Sequence, residues 1–251
     1  MPVTGSKSIS YNLSIRVKAD GFSFLVTEGH SGDNLLCEDF YPSQGQELHQ
    51  LLAEKLRMPV LGQYSFSRVR VITYTNATSI PQQEFVLQDL SALYSTVFPK
   101  IDEEQDEVCY THLPQLDIVQ AFTLSRAVRS VVEELYPDAT FTNASAMVLG
   151  RLATFCKRQQ LPDNALFVYT TPRQLFLFSI SADKLKFANT FPLDHPKDSL
   201  FYVLSVWKTL ELRPRVHHCY IAGESDSVAY LTEEARKYLQ YVEVLSLSFE
   251  V

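Results

Sequence analysis

The strongest constraint on the fold is that one pattern of strands and turns is written twice. "LSIRVK", Leu13–Lys18, alternates apolar and polar residues as a half-buried strand does. The turn dipeptide Asp20-Gly21 comes next, "FSFLVT" resumes as a second strand, and Asn34–Phe40 supplies a third. From Leu166 the pattern begins again: "LFVYTT", a turn at Pro172-Arg173, "QLFLFSI", a turn at Ala182-Asp183, and "KLKFANTF". Laying Leu13 on Leu166, an offset of 153, brings Ile15 onto Val168, Phe22 onto Leu175, Phe24 onto Leu177, and Asn34–Phe40 onto Phe187–Leu193. Self-similarity at a fixed offset marks a duplicated unit, although two unrelated hairpins could give the same alternation.

Beyond each strand cluster the chain keeps the same rhythm of helices and strands. After the first, "GQELHQLLAEKLRM" puts Leu48, Leu51, Leu52 and Leu56 at helical spacing, and Pro59 ends it. "FSRVRVITY" is a strand. "EFVLQDLSALYSTVF" reads as one helix closed by Pro99. "VCYTH", a turn at Pro114 and "DIVQAFTL" lead to the helix "SRAVRSVVEELY", with Ser125 as its N-cap. "ATFTNA" is a short strand and "SAMVLGRLATFCKR" a helix. After the second cluster come "DSLFYVLSVWKTLEL", apolar on most faces and therefore a buried helix, the strand "VHHCYIA", the amphipathic helix "SVAYLTEEARKYL" and the strand "VEVLSLSF". The expectation is an α/β chain of two β-β-β-α-β-α-β halves around a cleft, residues 1–142 and 143–251.

Composition narrows the function. The chain is 46% hydrophobic and 20% charged with a formal net charge of −7, and the sequence shows no Lys/Arg cluster or stripe, so nucleic acid is not an expected partner. The acidic run Pro99–Glu107 reads as a solvated connection. The polar start "MPVTGSKSIS" has no apolar core segment, and no window of about 18 apolar residues predicts a membrane span. Cys37, Cys109, Cys156 and Cys219 form no C-x-x-C pair, so reduced thiols in a cytoplasmic protein are expected rather than a structural zinc site.

"RVHHCYIAGES", Arg215–Ser225, collects residues that could carry chemistry. On a strand, His217 and Cys219 would share one face and His218 would take the other. No further ligand stands at recognisable spacing, so no metal is expected. Asp194-His195 reads as a helix entry with Asp198 near the N-cap, and no G-x-S-x-G nucleophile elbow occurs. The pairs Glu133-Glu134 and Glu233-Glu234 fall on solvated helix faces.

The twice-written unit resembles the actin, sugar-kinase and heat-shock-chaperone ATPase fold, which is ribonuclease H-like. "VQAFTLSRAVRSVVEELYPDATFTNASAMVLGRL" resembles the mid-chain crossover of type IV pilus assembly proteins of the PilM kind. "LFVYTTPRQLFLFSISADKLKFANTF", "SLFYVLSVWKTLEL", "YIAGES" and "LSIRVKADGFSF" are similar to a family of uncharacterised Bacteroidetes proteins with a domain of unknown function. The likeness spans nearly the whole chain, but fold alone does not give function.

The resemblance implies where a nucleotide would sit. Each half of such proteins opens with a strand bearing an Asp, which holds a hydrated metal, and then a Gly-rich turn that approaches phosphates. Here the first position falls at Arg16, with Val17–Asp20 as its turn, and the second at Tyr169, with Thr170, Thr171 and Pro172 where glycines belong. Neither half has its carboxylate, which Mg²⁺ would normally use, and Pro172 removes a backbone donor. Asp20-Gly21 has the wrong spacing for the family's Asp-x-Gly. The adenosine turn falls at Ile221–Ser225, where Gly223 is kept and Glu224 replaces a second glycine. The leading expectation is therefore a non-catalytic scaffold with a degenerate ATPase fold, no cofactor, and a protein partner, by analogy a cytoplasmic partner of an envelope assembly. The rival is a nucleotide-binding switch or weak ATPase using Arg16, Thr170, Thr171, Gly223 and Ser225. On that rival reading Gly223→Trp would block the nucleotide without unfolding the protein.

Overall fold

The computed structural model describes residues 10–29, 31, 33–159, 164–181 and 184–246. Its elements run β1 (Tyr11–Val17), β2 (Phe22–Glu28), β3 (Asn34–Phe40), α1 (Leu48–Leu56), β4 (Phe66–Thr73), β5 (Ala77–Pro81), α2 (Leu90–Val97), β6 (Asp106–Leu113), β7 (Ile118–Ser125), α3 (Arg126–Leu135), β8 (Thr140–Asn143) and α4 (Ala144–Gln159). They continue as β9 (Ala165–Thr170), β10 (Gln174–Ser181), β11 (Lys184–Pro192), α5 (Pro196–Thr209), β12 (His218–Gly223), α6 (Ser225–Ala235) and β13 (Tyr241–Val244). The turn expected at Ala182-Asp183 lies outside the described residues, as does the end of the last expected strand.

Two five-stranded sheets have the same construction. The first has the order β3-β2-β1-β4-β8 and the second β11-β10-β9-β12-β13. In each, the first three strands are antiparallel and the last two run parallel to the first. The hairpin registers superimpose at the offset of 153 read from the sequence: Ile15 faces Phe24 as Val168 faces Leu177, and Val17 faces Phe22 as Thr170 faces Leu175. The turns match too, with Lys18 N–H donating to Gly21 O (2.8 Å) and Thr171 N–H to Gln174 O (2.9 Å). The third strands depart from the expected overlay. Phe40 pairs with Phe22, whereas Phe191, not Leu193, pairs with Leu175; both ladders shift register at equivalent places, Val26/Thr27 and Ser179/Ile180, but β3 starts six residues after the end of β2 and β11 only three after the end of β10.

Asp20-Gly21 is part of a four-residue connection rather than a two-residue turn. Gly21 is needed there because a Cβ would stand 2.3 Å from the carbonyl oxygen of Phe40 on the neighbouring strand. α5 is entered at Asp194-His195 as expected, but the cap is His195 and Asp198 stands three residues on: His195 Nδ1 accepts from Lys197 N–H (3.1 Å) while Asp198 accepts from His195 N–H (2.8 Å), a reciprocal cap. Ser125 Oγ accepts from Val128 N–H at the start of α3.

Between β4 and α3 the chain builds an unexpected third layer. Residues 77–125 form a three-stranded antiparallel sheet, β5-β7-β6, covered by α2. The stretch expected as one long helix is instead two single turns of tighter helix and then the eight-residue α2, so Val86 and Leu87 lie outside it.

Among the described residues, three larger cores hold these layers, and a smaller fourth seats α2 on the third sheet. Leu13, Ile15, Phe24, Val69 and Val71 pack beneath Leu52 of α1 and Val132 of α3. Val168, Leu177, Cys219 and Ile221 pack beneath Trp207 of α5 and Leu231 of α6. α4 is the joint. Its Ala146, Leu149 and Leu152 are buried against Phe167, Phe178 and Tyr220 of the second sheet, Ile72 of the first, and Leu113 and Ile118 of the third. Burying a side chain of this size stabilises by about 1.5–3 kcal/mol, so α4 ties all three sheets together. Among the described residues no helix is long and apolar enough to cross a membrane.

Candidate functional site

The carboxyl ends of β1, β4 and β9 converge on one crevice between the two large sheets, with the start of α4 as its floor. Open parallel sheets bind ligands at such a place. Here the crevice is filled. Arg16, Ile72, Tyr74, Ala144, Met147, Val148 and Tyr169 close around a cavity of about 20 Å³, enough for about one water.

Both positions implied for carboxylates, Arg16 and Tyr169, face this cavity. Arg16 alternates with the inward Ile15, and Tyr169 alternates with the inward Val168, so the two strand ends deliver them to the same space. Tyr74 joins them, its backbone N–H held by Val17 O at 3.0 Å. Burial raises the pKa of both phenols above the usual tyrosine value. Arg16 opposes the rise on each, while Glu224 adds to it, and Tyr74 adds further to that of Tyr169. The phenols stay protonated at neutral pH and cannot replace a carboxylate as a Mg²⁺ ligand.

Two bonds fasten the halves over the crevice. Arg173 Nη2 lies 3.3 Å from Asp20 Oδ2, joining one hairpin tip to the other. Gln174 Nε2 donates to Tyr74 O at 2.9 Å. Both cross between positions that the internal repeat assigns to separate halves, and Tyr74 packs edge-on against Phe176 with ring centroids 6.5 Å apart.

The threonines offered as phosphate contacts are engaged in structure. Thr170 is buried, and its carbonyl accepts from Glu224 N–H at 2.9 Å. Thr171 Oγ1 accepts from Gln174 N–H at 3.0 Å, closing the turn. Gly223 pairs with Thr170 across the parallel ladder and has φ +136°. A Cβ there would lie 1.9 Å from Thr170 O, so the Gly223→Trp variant expected to fold is excluded by backbone overlap. Ser225 begins α6 at the surface and is not part of the cavity wall. The structure thus brings Arg16 and Tyr169 together, sets Thr170 against Gly223, and leaves Ser225 outside. Tyr74, Met147 and Gln174 are wall or latch residues that the sequence did not single out; only the strand-end position of Tyr74 in "VITY" hinted at it.

The His-His-Cys run separates more fully than strand alternation implied. β12 begins at His218, so His217 sits in the preceding turn, where its Nδ1 accepts from Arg213 N–H at 2.7 Å. Burial, then Arg213 and His218, lower its pKa. His218 Nδ1 meets Glu243 Oε1 at 2.8 Å, and its ring stacks on Tyr241 at 4.7 Å. Cys219 points into the opposite core, and burial pushes its thiol up to about 12. Among the described residues no three His, Cys, Asp or Glu side chains gather as a metal site.

A family model described as "Protein of unknown function (DUF3822)" matches residues 3–242. The structure is similar to a Bacteroides thetaiotaomicron protein with an actin-like ATPase fold and unknown function, at 22% identity and TM-score 0.79, covering 98% of this chain and 94% of that one. It is also similar to a PilM-PilN type IV pilus biogenesis complex, at 12% identity and TM-score 0.52, covering 96% and 89%. A comparison with curated proteins returned no match. The architecture is therefore the actin-like ATPase fold, as the resemblance implied.

Proposed function

The chain belongs to the DUF3822 family of proteins of unknown function, and from that premise we propose that it is a non-catalytic scaffold built on a degenerate actin-like ATPase fold. The observation that carries this reading is the crevice itself. Its two would-be metal positions hold Arg16 and Tyr169, its volume is about 20 Å³, and a bond network joins its lips. A nucleotide needs a pocket of several hundred Å³. The PilM-PilN likeness supports, by analogy of fold, a cytoplasmic protein that recruits a partner to an envelope assembly.

The third sheet offers a surface for such a partner. α2 carries no charged residue, and its Leu93 and Val97 are exposed beside Val86 and Leu87. The rival reading, a nucleotide-binding switch or weak ATPase, requires the crevice to open.

Thermal unfolding separates the two. A ligand that binds only the native state raises Tm. ATP with Mg²⁺ should raise it no more than an equal concentration of tripolyphosphate at matched ionic strength, since any effect then comes from phosphate charge alone. A larger rise with ATP would reject the scaffold reading.

A further inference from the structure

The face of the first sheet turned away from α1 and α3 collects arginines. Leu13, Ile15, Val69 and Val71 point into the core beneath those helices, so Asn12, Ser14, Arg16, Arg68 and Arg70 point the other way. The parallel ladder sets Asn12 opposite Arg68, Ser14 opposite Arg70 and Arg16 opposite Ile72. Side chains two residues apart on a strand start about 7 Å apart, and neighbouring strands lie about 5 Å apart. Three guanidinium groups therefore rise from one small area. Arg151 of α4 comes close enough to act on Arg70, whose pKa is lowered by burial first and then by Arg68 and Arg151.

The charge is not neutralised from within. Among the described residues, Arg16, Arg68 and Arg70 form no ion pair. The carboxylate that shares the face in register is Asp39, reached from Arg16 through Ser23, two strands and about 10 Å away. Glu224 lies at the crevice end of Arg16, around the same tyrosines. In a chain with net charge −7, Arg16 and Arg70, half-buried beside the exposed Arg68 with no ion pair for any of the three, are an expensive arrangement that a bound anion would relieve. The remaining lining adds donors: the Ser14 hydroxyl and the Asn12 amide, whose Oδ1 is already engaged by Ser67 Oγ at 3.3 Å.

We propose that this face binds a soluble compound carrying two or more linked phosphate groups. Arginine forks fit phosphate oxygens bidentately. Linked phosphates concentrate enough negative charge to answer three guanidinium groups within the span of three short strand steps, whereas single carboxylates bring one charge each. The site meets the crevice only at Arg16, since Arg68 and Arg70 do not line it.

The test is calorimetric titration with tripolyphosphate at constant ionic strength, on the wild type, Arg68→Ser/Arg70→Ser, Arg70→Lys and Ser14→Asp. The double variant should bind at least tenfold more weakly, and Arg70→Lys, which keeps the charge but loses the fork, severalfold more weakly. Ser14→Asp should abolish binding and raise the Tm of the unliganded protein, because its carboxylate stands between the guanidinium groups. That variant and Arg70→Lys decide the matter even if the double variant folds poorly. Wild-type affinity in all three variants, or no binding beyond that to chloride, would overturn the proposal. Capture by phosphatidylglycerol vesicles that tripolyphosphate does not displace would overturn the soluble source, as would a thymidine oligonucleotide binding more tightly than tripolyphosphate. Failure here leaves the scaffold reading intact, since that reading turns only on ATP exceeding tripolyphosphate.

Discussion

Gly223→Ala is the sharpest perturbation of the crevice architecture. Gly223 has φ +136° and faces Thr170 across the β9–β12 ladder. A methyl group there would sit 1.9 Å from Thr170 O and 2.7 Å from Thr170 N. Both atoms are backbone and cannot swing aside, so either the strands part or the residue leaves its conformation. Holding a non-glycine residue in such a region costs about 1–3 kcal/mol. Parting the strands weakens the Glu224 N–H to Thr170 O bond (2.9 Å), which contributes about 1 kcal/mol. Together the loss is about 2–4 kcal/mol. For a domain of this size each kcal/mol moves Tm by about 2–4 °C, giving a fall of about 5–15 °C. Urea unfolding monitored by circular dichroism, alongside calorimetry, measures it. Gly62→Ala is the control, because nothing lies within 4 Å of its added Cβ, and it should stay within about 0.5 kcal/mol of wild type. If Gly223→Ala were equally harmless, the claim that this glycine serves the ladder rather than a ligand would be wrong.

The same geometry sets other outcomes. Asp20→Asn should change stability by less than about 1 kcal/mol, since the Asp20–Arg173 pair is exposed, and chemical unfolding reads this directly. Tyr94→Phe should cost about 1 kcal/mol by leaving Asn76 O without the phenol that donates to it at 2.8 Å. In native protein a thiol reagent at pH 8 should label exposed Cys37 quickly and Cys219 only on unfolding. The folded Cys219 thiol keeps its proton to about 12 while an unfolded one loses it near 8.5, so this group's contribution is complete below about 8.5 and falls as pH rises through 12; unfolding titrations of wild type and Cys219→Ala across that window should converge at the alkaline end. Leu93→Ser/Val97→Ser should leave Tm within about 2–4 °C of wild type yet weaken capture of the proposed partner, and unchanged capture would remove α2 from the interface.

The repeat was legible because strand alternation and hairpin spacing are local, and the offset from Leu13 to Leu166 predicts the register of both hairpins. The third strands slipped by two residues because the connections that lead into them differ in length, which a single fixed offset does not capture. The sheet of β5, β6 and β7 went unseen as a unit because its strands pair across α2 and a long acidic connection, and because the apolar Val86 and Leu87 mimic helical periodicity. The crevice was half legible. Arg16 and Tyr169 could be placed by counting along strands, but Tyr74 and Gln174 matter through contacts between distant segments. The arginine face escaped for the same reason. Arg16 and the Arg68/Arg70 pair stand far apart in sequence, and only the β1–β4 ladder makes them neighbours.

The fastened crevice also has a thermodynamic meaning. Any ligand that enters between Arg16, Tyr74 and Tyr169 draws on the population in which the Gln174–Tyr74 bond and the Asp20–Arg173 pair are released. Apparent affinity falls in proportion to that population, by about tenfold for every 1.4 kcal/mol favouring closure. Latch variants can therefore strengthen binding in the crevice without touching a ligand, so the shape of the empty protein sets its discrimination.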